Sequence, residues 1–183
     1  MIDNSFINKL IELLEYVNNK EIVYEILWSI TNLAAYPQKN GINLVGKGVI
    51  PRLAELIKSG DVKIVNQAVW ALGNLSCDGE PTITEIIQTG AIDNLMSILI
   101  KTKDSPLIEN SCWLLSILFI LCNDIEVQCM SNFISAICHI LRIHNDREVI
   151  KNCCAILIEA KEDSKADIME EMGIHNKLIT LIK

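Results

Sequence analysis

The sequence predicts an all-α solenoid built from stacked helical repeats, and two observations carry that prediction. Helix starts recur at a near-constant interval: Gly48-Val49-Ile50, Gly90-Ala91-Ile92, Asn132-Phe133-Ile134 and Gly173-Ile174 stand 42, 42 and 41 residues apart. The three tryptophans, Trp28, Trp70 and Trp113, repeat at 42 and 43 residues, and each falls opposite the apolar stripe of its own helix. Turning ~100° per residue along 62–76 puts Val65, Ala68, Leu72 and Leu75 inside, with Lys63, Gln67, Trp70 and Asn74 outside. The template shifted back gives Val23, Ile26, Ile30 and Leu33 inside, with Glu21, Glu25, Trp28 and Asn32 outside. Shifted forward, it gives Ile108, Ser111, Leu115 and Leu118 inside, with Pro106, Asn110, Trp113 and Ile117 outside. A large indole on a polar stripe, repeated in register, points to something it touches other than the core.

Leucine or a substitute follows each helix start at fixed offsets: Leu53/Leu56, Leu95/Ile98, Ile137/Ile140 and Leu178/Leu181, with Leu10/Leu13 after Ser5 as one more copy. A period of ~40–47 residues with two or three helices per unit is the range of HEAT and armadillo repeats. Such a unit cannot bury its apolar face alone, so neighbours must stack. One domain over 1–183 is expected, with complete repeats at 36–79, 80–122 and 123–161 between partial repeats at 1–35 and 162–183.

The elements follow in order. Helices at 6–17 and 20–35 form the second and third helices of a unit. Pro37 suits the first turn of a short helix over 37–46, where its missing N–H costs nothing. Helix 50–58 carries Pro51 early, and Ser59-Gly60-Asp61 turns into 62–76. Gly79 is expected to supply a left-handed residue ending that helix, with Pro81 forbidding continuation. The next unit covers roughly 81–121, Ser105-Pro106 opening its third helix. Another spans roughly 124–161 with His144-Asn145-Asp146 as its turn, and 163–172 and 174–182 begin a last one. The two ends lack the polar caps of natural solenoids. Phe6, Leu10, Leu13 and Leu14 on the first helix, and Leu178, Leu181 and Ile182 on the last, are therefore expected to form uncovered apolar patches. A homodimer through such open ends is expected.

Half of the residues are hydrophobic, as a stacked helical core requires. The apolar run Trp113–Cys122 is too short for a membrane span, and no charged-then-apolar leader opens the chain. Seven cysteines lack paired C-x-x-C spacing and read as small buried hydrophobes in a reducing compartment. Cys138, His139, His144, Cys153 and Cys154 match no zinc template. No nucleophile–base motif, phosphate loop or paired carboxylates appear, so neither an enzyme, a metal site nor a cofactor is expected. A net charge of −7 argues against nucleic acid and anionic membrane and favours a basic partner.

The stretch Gln67-Ala68-Val69-Trp70-Ala71-Leu72-Gly73-Asn74-Leu75-Ser76-Cys77-Asp78-Gly79 resembles the importin-alpha branch of the armadillo family. Glu25–Ala34 resembles the preceding repeat and Asn110–Ser116 the following one, through a Trp-x-x-x-Asn signature with Asp-Gly after the central copy. The resemblance implies a right-handed superhelical armadillo solenoid. It also implies a cytoplasmic and nuclear adaptor for import, reading Lys/Arg-rich nuclear localisation signals on a concave groove of third helices. An importin-beta-like carrier, bound through a segment not in this chain, is implied as well. Carried across residue by residue, the peptide-binding positions are Trp28, Asn32, Gln67, Trp70, Asn74, Asp78, Asn110 and Trp113.

Physical chemistry supports those residue types. Trp and Asn four apart share a helical face, and helices ~8–10 Å apart match about three residues of extended peptide. Successive indoles then make slots for lysine and arginine stems, the ring faces attract their cations, and Asn amides clamp a peptide main chain. Asp78, just past a helix C-terminus, suits a lysine. Departures are Ile117 in place of an Asn, Ala155 and Glu159 at the Trp and Asn positions of the next repeat, and Tyr36-Pro37 in place of a glycine-containing turn. The autoinhibitory segment and the later repeats with the minor site and exportin-binding end are not in the sequence. A second reading is an armadillo scaffold that holds another extended segment or assembles through its ends.

Overall fold

A computed structural model describes residues 4–16, 19–35, 44, 46–121, 130–159 and 165–182. They fall in two compact units, Met1–Leu95 and Met96–Lys183. The first holds α1 (Asn4–Tyr16), α2 (Lys20–Ala35), α3 (Val49–Leu56), α4 (Val62–Ser76) and α5 (Glu80–Gln88). Helix α6 (Ala91–Leu99) runs across the boundary. The second unit holds α7 (Ser105–Leu121), α8 (Met130–Ile143), α9 (Arg147–Glu159), α10 (Lys165–Glu171) and α11 (Ile174–Ile182). The expected short helix over 37–46 lies largely outside the described residues. No helix among the described residues is long and apolar enough to cross a membrane.

In the first unit α2 lies along α4, α1 packs on α2 and α3, and α3 packs on α4 and α5. The second unit repeats the scheme, with α7 along α9 and α8 against α9, α10 and α11. The predicted inner stripes of α2, α4 and α7 are all buried. Each large aliphatic side chain among them, such as Ile30 or Leu72, contributes roughly 1.5–3 kcal/mol by leaving water. Arg52 on α3 ties the end of α1 to this core: its guanidinium donates to the Leu14 carbonyl and pairs with Glu55 at 2.7 Å.

Each long third helix starts on a side-chain cap. Asn19 accepts from the N–H of Glu21 and Ile22, Asp61 from Lys63 and Ile64, Asp104 from Leu107, and Asp146 from Glu148 and Val149. Those caps stand 42, 43 and 42 residues apart, the period of the tryptophans. A carboxylate there satisfies orphan N–H groups and meets the positive end of the helix dipole. The cap series is a repeat signal that the tryptophan and glycine pattern overlooks.

Three expectations are corrected. Gly79 has φ 106 and ψ −169, an extended positive-φ conformation close to glycine's own territory, and it precedes α5. Helix α4 ends instead at Cys77 in the right-handed region, and Pro81 lies inside the first turn of α5, where it opens a helix. Leu10 and Leu14 on α1 are buried, leaving Phe6 exposed. The neighbours of α1 thus cover most of the expected first patch; the side chains of Leu181 and Ile182 lie outside the described set. Cys112, Cys138 and Cys153 are buried as expected, but Cys77 is exposed.

Asp61 carries two duties, since its Oδ2 also accepts from Lys20 Nζ at 3.0 Å. The Lys20 bond, followed by the backbone N–H groups of Ile64 and Lys63, holds its carboxyl below the usual range. A depressed folded-state value contributes stability above the unfolded-state value, and loses it as pH falls through the folded-state value. Asp61→Ala is expected to cost about 1 kcal/mol at neutral pH. In denaturant titrations the gap from the unsubstituted protein should close as pH falls below the ordinary aspartate range.

Candidate functional site

The outward edge of α2 and α4 in the first unit gathers most of the predicted positions. Trp28 is 41% exposed and Trp70 half-buried. Their rings meet edge to face, with centroids 5.6 Å apart and planes at 81°. An aliphatic stem between two rings needs ~3.5–4.0 Å on each side, more than this separation allows. The expectation of an open slot between successive indoles is therefore not met here. A ligand stem either lies on the exposed face of Trp28 or parts a contact worth about 0.5–1.5 kcal/mol.

Gln67 is the clearest correction. It was expected on the outer face, yet it is 2% exposed, and its Nε2 donates to Thr31 Oγ1 at 2.7 Å. The same Thr31 donates its hydroxyl to the Leu27 carbonyl and accepts, at its own carbonyl, the Asn74 Nδ2 at 3.0 Å. Thr31, 3% exposed, is the residue that the sequence reading missed. A signal existed: Thr31 stands three residues after Trp28, and Gln67 three before Trp70, so both lie where adjacent third helices face each other.

Asn32 is exposed and donates to the Trp28 carbonyl at 2.9 Å. In both Asn32 and Asn74 one amide N–H is thus occupied, and an asparagine amide also carries Oδ1 and a second N–H. Asp78 lies in the turn after α4, its N–H donating to the Leu75 carbonyl. Its side chain is exposed, yet the surrounding atoms strip enough water to hold its carboxyl above the usual range. Burial, and then the Asp78 charge, push the adjacent Cys77 thiol up. Toward the N-terminal halves of α2 and α4 lies a cavity of 940 Å3, lined among others by Glu21, Glu25, Ile26 and Ile64.

In the second unit Asn110 and Trp113 are half-buried on α7, and Ile117 stands one turn beyond. The positions equivalent to Thr31 and Gln67 hold Ser116 and Asn152, both buried. Ser116 bonds its own helix at the Trp113 carbonyl. Cys112 and Cys153 meet across α7 and α9 with sulfurs 3.7 Å apart. Neighbouring thiols and burial push Cys153 far up, as suits packing and not nucleophilic chemistry.

The Armadillo/beta-catenin-like repeat family model matches residues 42–77. Among solved structures, a designed armadillo repeat protein in complex with peptide (KR)4 superposes with a TM-score of 0.79 at 21% identity, covering 97% of this chain and 74% of that one. Computationally designed armadillo repeat proteins for modular peptide recognition superpose with a TM-score of 0.81 at 18% identity, over the same shares. The chain is all-α and has the fold of armadillo-repeat solenoids.

Among armadillo proteins it resembles importin-alpha. It is 24% identical to importin subunit alpha-1b of Oryza sativa over all of this chain and 34% of the relative. Identity to importin subunit alpha-2 of Arabidopsis thaliana is 28%, over 63% of this chain and 22% of the relative. Probable importin subunit alpha-A of Dictyostelium discoideum is 24% identical over all of this chain and 36% of its own length. The chain thus spans about a third or less of these relatives.

The edge-to-face indoles couple their electronic transitions, so the protein should show an exciton couplet in circular dichroism. Trp28→Phe or Trp70→Phe should abolish the couplet while leaving the helical signal. No couplet in the unsubstituted protein would mean that the rings are apart in solution, and one unchanged in either variant would mean that it does not come from this pair.

Proposed function

We propose that this protein is a peptide-binding adaptor that takes extended Lys/Arg-rich segments of the nuclear localisation type, as part of nuclear protein import. The Trp28–Trp70 pair, with Trp28 exposed and Trp70 half-buried, the tethered Asn32 and Asn74 on the same two helices, and Asp78 in the turn after α4 support the reading. Indole faces suit the stems and cations of lysine and arginine. Asn32 and Asn74 hold the peptide main chain, and Asp78 selects one lysine. Gln67, being buried, acts behind the surface and does not touch the peptide. Asn110 and Trp113 make the corresponding contacts in the second unit, where Ile117 removes one main-chain clamp. An acidic chain, the similarity to importin-alpha subunits and the basic peptide held by a designed neighbour all favour this assignment. Residence in cytoplasm and nucleus, and a carrier of the importin-beta type, belong to the same proposal.

Trp70→Ala should weaken a Lys-Lys-x-Lys/Arg peptide by about 1–3 kcal/mol, the scale of a central hot spot. The measurement is a tryptophan-emission titration of the folded variant, and an unchanged dissociation constant would refute the assignment.

Asp78→Lys should weaken the same peptide more than about tenfold. A peptide with alanine at the selected position should respond far less. Because the free Asp78 carboxyl titrates above the usual range and a bound lysine favours its ionised form, binding releases protons. Affinity is expected to rise with pH through the carboxylate range and to lose that slope in Asp78→Asn. Equal losses for both peptides, with the slope retained, would reduce Asp78 to a long-range charge.

A further inference from the structure

We infer that Thr31, which is too buried to touch a ligand, is the positioning residue that sets the geometry of the Trp28–Trp70 pair and so the competence of the peptide site. The inference rests on the peptide-binding reading above and adds the element that builds its surface.

Trp70 stands between two tethers on α4: Gln67 three residues before it and Asn74 four residues after. Both run to the same residue of α2, Gln67 to the Thr31 hydroxyl at 2.7 Å and Asn74 to the Thr31 carbonyl at 3.0 Å. Thr31 itself lies one turn from Trp28, and its hydroxyl hydrogen is directed to Leu27 at 2.9 Å. That donation leaves the oxygen free to accept from Gln67.

Two bonds seven residues apart span ~10.5 Å of helix axis, and both converge on one turn of α2. A single bond would let α4 slide or roll; two fix its height and its rotation against α2. The indoles project from those same helices, so their 5.6 Å edge-to-face contact is a consequence of the tethers. The buried apolar side chains of the two helices, such as Leu27 and Ala68, pack without direction and tolerate small rotations. Hydrogen bonds to a buried amide do not, because an unmade bond leaves the amide without water or partner. Ser116 and Asn152 occupy the equivalent positions in the second unit, where the Ser116 hydroxyl, like that of Thr31, donates to a carbonyl of its own helix.

The test compares Thr31→Val, which keeps shape and backbone carbonyl but loses the hydroxyl, with Thr31→Ser, which keeps the hydroxyl. The folded protein is read by the indole couplet and by titration with a synthetic Lys-Lys-Ala-Lys peptide. Thr31→Val should alter the couplet and weaken the peptide about tenfold, and Thr31→Ser should restore both. Gln67→Met, which removes the donor from the other side, should reproduce the Thr31→Val pattern and serves if Thr31→Val does not fold. A folded Thr31→Val or Gln67→Met protein with the unsubstituted couplet overturns the inference. So does an altered couplet with undiminished affinity, because the geometry would then not govern binding. If the unsubstituted protein binds no basic peptide, the adaptor proposal fails, and the couplet comparison still decides whether Thr31 sets the indole pair.

Discussion

A neutral amide, Gln67, is carried into the seam between α2 and α4 at 2% exposure, and the site depends on its finding Thr31. Burying an amide without a partner costs roughly 1–3 kcal/mol by mutational measures. Apolar surfaces can meet in many rotations, but this amide is satisfied in few. Asn74 then adds a second bond to the same residue. The α2–α4 interface is therefore set by direction as well as by area, and every side chain that projects from its outer edge inherits that geometry.

The second unit fills the corresponding contact with other residues. Cys112 and Cys153 face each other in the α7–α9 contact, where the equivalent residues of the first unit are Leu27 and Ala68. The outer edge of α7 carries Ile117 after Trp113 and ends in exposed Ile120 and Leu121. One period of about 42 residues thus supports a Gln–Thr hydrogen bond across the interface in one unit and a thiol–thiol contact in the other. Stacking requires only that each repeat bury its inner stripe, so the residues beside that stripe vary without loss of fold.

Much was legible from residues alone. The 42-residue spacing identifies a solenoid because no single unit has a core of its own. The inner stripes of α2, α4 and α7 follow from 3.6-residue periodicity, and the structure buries every residue named in them. Exposure of Trp28 and Asn32 follows from the same rotation. The spans 20–35, 62–76 and 174–182 are legible to the residue.

What periodicity could not supply was the neighbour. It gives a residue's angle about its own helix axis but not which helix stands at that angle, and Gln67 lies at the border between solvent and the adjoining third helix. Whether such a residue is wet or buried depends on where α2 comes to rest, a fact of packing between residues 36 apart in sequence. The closed contact of Trp28 with Trp70, the second anchor of Asn74 and the covering of Leu10 and Leu14 have the same origin. Gly79 differs only in scale: its dipeptide signals a turn, but the close join of α4 to α5 selects the extended positive-φ conformation. The sequence by itself determined the repeat, the helices and the faces they bury. Only tertiary structure decided which polar groups on the margins of those faces meet, because hydrogen bonds there need two helices held at one height and one rotation.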